Sequence, residues 1–132
     1  MNRAAAIKGV LKSGVPAFAK HSARFANINA AKPVWWLDVP ITKLSEAPII
    51  NFLLYDARSD VLHFLPISVR HFRGNRRGLV VVKTKTTECF RLELSADGPQ
   101  MFRDVRFGGE GVEFGQFLAR SIYRFASVLE GD

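Results

Sequence analysis

Four apolar residues near the N-terminus, Ile7, Leu11, Phe18 and Phe25, are spaced by four, seven and seven positions, which keeps them on one face of a helix. Lys8, Lys12, Lys20 and Arg24 fall away from that stripe. Gly14 and Pro16 interrupt it, because a proline inside a helix loses a hydrogen bond and clashes with the preceding turn. The pattern therefore predicts two short helices, about 3–13 and 17–27, with Pro16 near the start of the second. Asn27, Asn29 and Pro33 then mark a linker.

Beyond Pro33 the period changes. Val34–Val39 is aromatic and β-branched and stops at Pro40, which reads as a strand. The continuous apolar run Ile49–Tyr55 suits a strand buried on both faces. A turn-rich connector, 56–60, joins it to Val61–Ile67 in an expected hairpin, with Pro66 weakening the end of the second strand. Leu79–Lys83 and Glu88–Ser95 form a second expected hairpin around Lys85, Thr86 and Thr87. In its second strand Phe90, Leu92 and Leu94 alternate with Arg91, Glu93 and Ser95, giving one buried and one wet face. Residues 97–99 close the strand region, and the glycine-rich stretch 108–111 reads as a flexible loop. From Val112 to Leu129, the residues Phe114, Phe117, Leu118, Ile122, Phe125 and Leu129 make an apolar stripe that predicts a C-terminal amphipathic helix. The expected fold class is α+β: a mainly antiparallel sheet of about five strands flanked by N-terminal helices and this C-terminal helix. A basic helical N-terminal segment, 1–32, is expected to precede an α+β domain, 33–132.

Size and composition narrow the class. A chain of 132 residues holds one ordinary domain and buries roughly two-thirds of its unfolded surface, enough for a core without covalent staples. The lone Cys89 cannot form an intramolecular disulfide and, in a strand, packs as a small hydrophobe. No apolar run approaches the roughly 20 residues that cross a bilayer, and no signal-peptide core follows the N-terminal charges. Collagen-like, disulfide-scaffold and helical transmembrane classes are thereby excluded.

Charge adds the most. With 19 Lys and Arg against 12 Asp and Glu, the chain carries +7. Residues 1–37 hold six of those cations and no acid, so nearly all the excess sits at the N-terminus. Such asymmetry is what a basic arm for nucleic acid or another anionic surface looks like. A second basic patch, 70–77, holds Arg70, Arg73, Arg76 and Arg77, and no acid occurs between Asp60 and Glu88, where Lys83 and Lys85 also fall.

Arginine presents a planar fork of donors that matches phosphate, and its charge does not titrate away. Gly74 and Asn75 predict a turn presenting Arg73, Arg76 and Arg77 together, with His71 and Phe72 as rings for stacking on bases. The bland alternative is a solvated loop that keeps a sheet edge from aggregating. The N-terminal basic stretch reads as a helix docked on the sheet with its cations outward. A free arm, a membrane-surface helix and a transit peptide are the lesser readings. Trp35 and Trp36 point to opposite faces of one strand, so at least one is core. The other belongs to an interface or a helix-covered face, with a stacking platform as the second reading.

Catalytic signals are thin. A restriction-type nuclease needs an acid followed by Glu-x-Lys on the next strand, and the segments at Glu88 and Glu93 lack the lysine. His21, His63 and His71 lack zinc-site spacing, and His63 in an apolar strand reads as a core histidine. The glycine-rich loop has neither the spacing nor the lysine of a P-loop. No catalytic residue, metal or cofactor is assigned. The sequence thus points to a non-enzymatic nucleic-acid-binding module for DNA or RNA, gripping the backbone through Arg70, Arg73, Arg76, Arg77, Lys83, Lys85, Lys8, Lys12, Lys20 and Arg24, and serving as an accessory subunit of a nucleic-acid-processing assembly. The alternative is a protein-interaction subunit that meets a protein partner or a second copy of itself. A small nuclease or RNase-type toxin ranks third. The expected location is cytoplasmic, with the mitochondrial matrix as the alternative.

Overall fold

A computed structural model describes residues 1–131; Asp132, the last residue of the expected 33–132 domain, lies outside the described residues. Among the described residues the fold is α+β, with seven strands in two mostly antiparallel sheets where about five in one sheet were expected. The strands are β1 (Ala23–Asn27), β2 (Val34–Pro40), β3 (Ile49–Asp56), β4 (Val61–Ser68), β5 (Val81–Lys83), β6 (Glu88–Ser95) and β7 (Arg120–Tyr123). The helices are α1 (Arg3–Lys12), α2 (Val69–Gly74) and α3 (Phe125–Glu130). One sheet runs β1-β3-β4-β7, with β1 parallel to β3; the other runs β2-β6-β5. A bridge between Ile28 and Trp35 hinges the two together.

Three layers follow from where the apolar faces go. Trp35, Phe52, Leu65, Phe90 and Leu92 fill the space between the sheets. The far side of the first sheet carries a second core, in which Leu53, Leu62 and Phe64 pack against α1 and α3. The expectation that the run 49–55 is buried on both faces therefore holds, because alternate residues of β3 feed the two cores. Both hairpins are present, β3–β4 and β5–β6.

Two helices expected from spacing are corrected. The stretch 17–27 contains a short 3₁₀ turn, Lys20–Ser22, followed by strand β1. Its alanines favour helix, but propensity is a weak preference that the parallel ladder to β3 overrides. The stretch 112–129 is not one helix either. It is a 3₁₀ turn at Gly115–Phe117, then β7, then the six-residue α3. Its apolar residues serve two cores, Phe114 between the sheets and Ile122 and Phe125 beneath the helices, as the chain crosses the sheet end. Arg124 adopts a left-handed φ of 52° that breaks any continuous helix, and the Asp60 carboxylate accepts from Ala126 N–H at 3.1 Å to cap α3 from outside.

Helix α1 forms as expected. The Asn2 side chain accepts from Ala5 N–H at 2.8 Å, and Gly14, at φ 95°, lies just past its end. Midway along it, Gly9 meets the buried Phe125 ring: a Cβ there would lie 2.7 Å from Phe125 Cε1 and 3.0 Å from Leu129 Cδ2. Alanine raises helix propensity by about 1 kcal/mol over glycine, yet at this position the ring is fully buried and has nowhere to go. Gly9→Ala is therefore expected to lower the melting temperature, and adding Phe125→Leu to recover part of the loss. A Gly9→Ala protein that melts above wild type would show that α1 and α3 are not in close contact.

His63 tests the inter-sheet core by titration. It is buried on β4, with Nδ1 2.7 Å from Ser121 Oγ and its ring edge-on to Trp35 and Phe102. Burial holds its pKa below the ordinary 6.5, and the nearby Asp56 carboxylate opposes that only in part. As pH falls below about 6.5 the unfolded chain binds a proton that the folded chain refuses, so stability is present above that pH and lost below it. The melting temperature should fall between pH 7.5 and pH 5, and His63→Leu should flatten that fall. An unchanged pH slope in the variant would assign the effect elsewhere.

Candidate nucleic-acid interface

Strand β4 ends at Ser68, whose hydroxyl accepts from Arg70 N–H at 3.3 Å and starts α2. The helix is anchored from below, since Val69 and Phe72 enter the inter-sheet core. It stops at Asn75, whose side-chain amide donates to the His71 carbonyl at 2.8 Å, and a 3₁₀ turn, Arg76–Gly78, follows at once. Across from this turn runs the 108–113 loop, held by Glu110 N–H donating to the Gly78 carbonyl at 2.9 Å. A Cβ on Gly78 would lie 3.1–3.3 Å from Glu110 and Val112 side-chain atoms, so glycine permits the two walls to approach.

Between these walls opens a cleft of about 710 Å³. Arg73, Arg76 and Arg77 line one side; Glu110 and Glu113 line the other. Arg73 donates to the Leu44 carbonyl at 2.9 Å, which fixes its direction. Arg76 and Arg77 are exposed and make no side-chain hydrogen bond or ion pair among the described residues. Glu113 is engaged with Arg103 at 3.4 Å and with Gly115 N–H at 2.6 Å. Three arginines thus line the cleft, two of them with guanidinium groups that have no protein partner among the described residues, against one carboxylate, Glu110, that lacks an ion pair among them. An open, polar, net-positive cleft of this kind suits an anion that approaches from solvent.

The turn at Gly74 and Asn75 gathers Arg73, Arg76 and Arg77 as the sequence predicts. The rings beside them do other work. Phe72 is wholly buried among Phe52, Phe90 and Phe114, because its helical position points it inward. His71 lies edge-on to Phe114 and Phe117, with Nε2 2.7 Å from the Glu113 carbonyl oxygen. Neither is placed to stack on a base. Arg70 is exposed on α2 outside the cleft lining, and Lys83 and Lys85 are exposed around the β5–β6 turn.

The N-terminal cations go elsewhere. Lys8, Lys12 and Lys20 rim a shallow groove over Ile7 and Leu11. That groove is on the helical layer, whereas the arginine cleft is rooted in the inter-sheet core. Lys12 donates to the carbonyls of Leu129 and Gly131, clamping α1 to the chain end. Arg24, half-buried, donates to the Asp38 carbonyl at 2.8 Å. Burial is the main cause that lowers its pKa, and the neighbouring Arg3 adds to it.

Comparison with family models, curated proteins and solved structures gave no match. The functional reading therefore rests on the chain itself. Among the described residues no three His, Cys, Asp or Glu side chains converge as a metal-binding group would. No described helix is long and apolar enough to cross a membrane.

A second basic surface escaped the sequence reading. Trp35 is fully buried, and its Nε1–H donates to the Tyr55 carbonyl at 3.0 Å; Trp36, on the opposite face of β2, is 57% exposed. Among the described residues no helix covers it, so the helix-covered face of the preferred sequence reading does not hold, while the interface half of that reading stands as an expectation. Arg91, on β6, pairs bidentately with Asp38 at 2.8 and 2.9 Å, and Arg106 lines the same hollow as Trp36. Hydrogen bonds from Arg91, reinforced by the charges of Arg91, Arg106 and Arg24, hold the Asp38 carboxyl below the usual carboxylate range. Arg91 was legible as the wet face of a strand, but its meeting with Trp36 depends on the β2–β6 register.

Proposed function

We propose that this chain is a non-enzymatic nucleic-acid-binding module that holds the sugar-phosphate backbone of DNA or RNA in the arginine cleft. The reading is carried by one observation: Arg76 and Arg77 stand exposed, without protein partners among the described residues, on a turn whose backbone is braced from both sides. Such arginines add little to folding, and paired forks of donors match phosphate oxygens. Backbone contacts position a nucleic acid without reading its sequence, which fits an accessory subunit of a nucleic-acid-processing assembly. Its place would be wherever such an assembly works, the cytoplasm first and the mitochondrial matrix as the alternative.

One observation favours the protein-interaction reading. Phe107 is 99% exposed at the tip of the loop beyond Arg106, where a protein partner would bury it. The discriminating experiment is fluorescence anisotropy with a labelled duplex and a labelled single strand over a salt titration. Affinity that falls steeply with salt supports backbone contacts. No binding at 50 mM salt would leave the protein-interaction reading standing alone.

A further inference from the structure

We propose that Trp36 is the platform on which an unpaired base stacks, which makes single-stranded nucleic acid the ligand of the outer face of the β2-β6-β5 sheet. The inference deepens the proposed function and rests on it. Trp36 is a large apolar ring on β2, an edge strand of that sheet, more than half exposed, with hollows on both sides. One hollow, of about 510 Å³, is bounded by Asp38, Arg91, Glu93 and Arg106. The other, of about 190 Å³, is bounded by Arg3, Arg24, Phe25 and Asp38.

Charge selects the occupant. The two carboxylates of this face are already matched, Asp38 by Arg91 at 2.8 Å and Glu93 by Lys32 at 3.4 Å. Arg3, Arg24 and Arg106 make no ion pair among the described residues, and with Arg91 and Lys32 they outnumber the two carboxylates of this face. Arg3 and Arg24 donate to backbone carbonyls of Ala23, Lys20 and Asp38, which orients them without an ion pair. The Arg106 backbone is held by its own turn: Asp104 Oδ1 accepts from the N–H of Glu93 at 3.0 Å and of Arg106 at 3.2 Å, tying the turn to β6, and the Arg106 side chain lines the hollow beside Trp36. An indole with guanidinium groups on its two sides, in a net-positive setting, fits a base with phosphates before and after it. A duplex hides its base faces and cannot use the indole, whereas every unpaired base has a π-face to offer. The segment 106–113 runs from this platform to the arginine cleft, so one loop borders both surfaces.

The test uses the full chain, a fluorescein-labelled oligo(dT) of 20 nucleotides, and a labelled hairpin duplex of similar charge. Trp36→Ala should weaken binding to the single strand by about 5-fold or more, the effect of losing one stacked base. It should leave duplex affinity within twofold and, because no charge is lost, leave the salt slope unchanged. Trp36→Phe should keep most of the single-strand affinity. Arg106→Ala should lower the single-strand salt slope by about 0.7. Trp36 is exposed, so the variants should melt like wild type, and a melt confirms that. Equal losses on both probes, or no loss on the single strand while Arg76→Ala/Arg77→Ala still weakens binding, would overturn the stacking proposal alone. A wild-type protein that binds neither probe would overturn it together with the proposed function.

Discussion

Phe72→Ala should lower the melting temperature by about 10–25 °C, the consequence of losing roughly 3–5 kcal/mol in a domain of this size. The ring is wholly buried where three elements meet, with centroids 6.1 Å from Phe52, 5.9 Å from Phe90 and 5.6 Å from Phe114. Removing it empties a space that α2 and the two sheets share, and the surrounding backbone is tied into ladders that limit collapse. Differential scanning calorimetry of the variant measures the effect directly. Phe125→Ala should act similarly through the second core, since Phe125 is also fully buried, whereas Phe117 is only partly buried and its loss should cost less. A Phe72→Ala protein that melts like wild type would mean that the ring is solvated and free to stack on a ligand.

That outcome matters because Phe72 marks where the sequence reading of the site parted from the structure. The cluster 70–77 shows its charge and its turn in the sequence, since Gly74 and Asn75 are turn residues and the arginines are unmistakable. The facing of each residue is not visible there. A single helical turn puts Phe72 inward while Arg73 stays exposed, and only the packing of α2 against β3, β6 and the 112–114 segment decides which is which.

Strands β2, β3, β4 and β6 were legible because period-two or fully apolar runs over seven or eight residues are hard to mistake for anything else. Strand β1 was not, because five residues containing two alanines carry almost no β signal and depend on β3 for their ladder. The C-terminal stretch misled for a different reason. Phe114, Ile122 and Phe125 sit at helix-compatible spacing yet fill separate cores, so periodicity mimicked a helix that the chain never forms. The Trp36 platform needed three distant segments, 3–24, 36–38 and 91–106, to converge, and nothing local in any of them announces the others.

The arginine cleft is the claim on which the functional account stands. Arg73 is committed to the Leu44 carbonyl, so the informative variant removes only Arg76 and Arg77. Both side chains are exposed, and their loss should leave the melting temperature close to that of wild type. If each holds one phosphate of a duplex, the double substitution should reduce the slope of log K against log salt by about 1.8, at about 0.9 per phosphate. Replacing Lys8 and Lys20 on the helical layer should change the slope less, because that groove is built on a different core. The decisive measurement is therefore the salt dependence of duplex affinity in wild type and in Arg76→Ala/Arg77→Ala, with matched thermal melts. The account predicts a shallower slope of about that size with folding intact; an identical slope in a fully folded variant would contradict it.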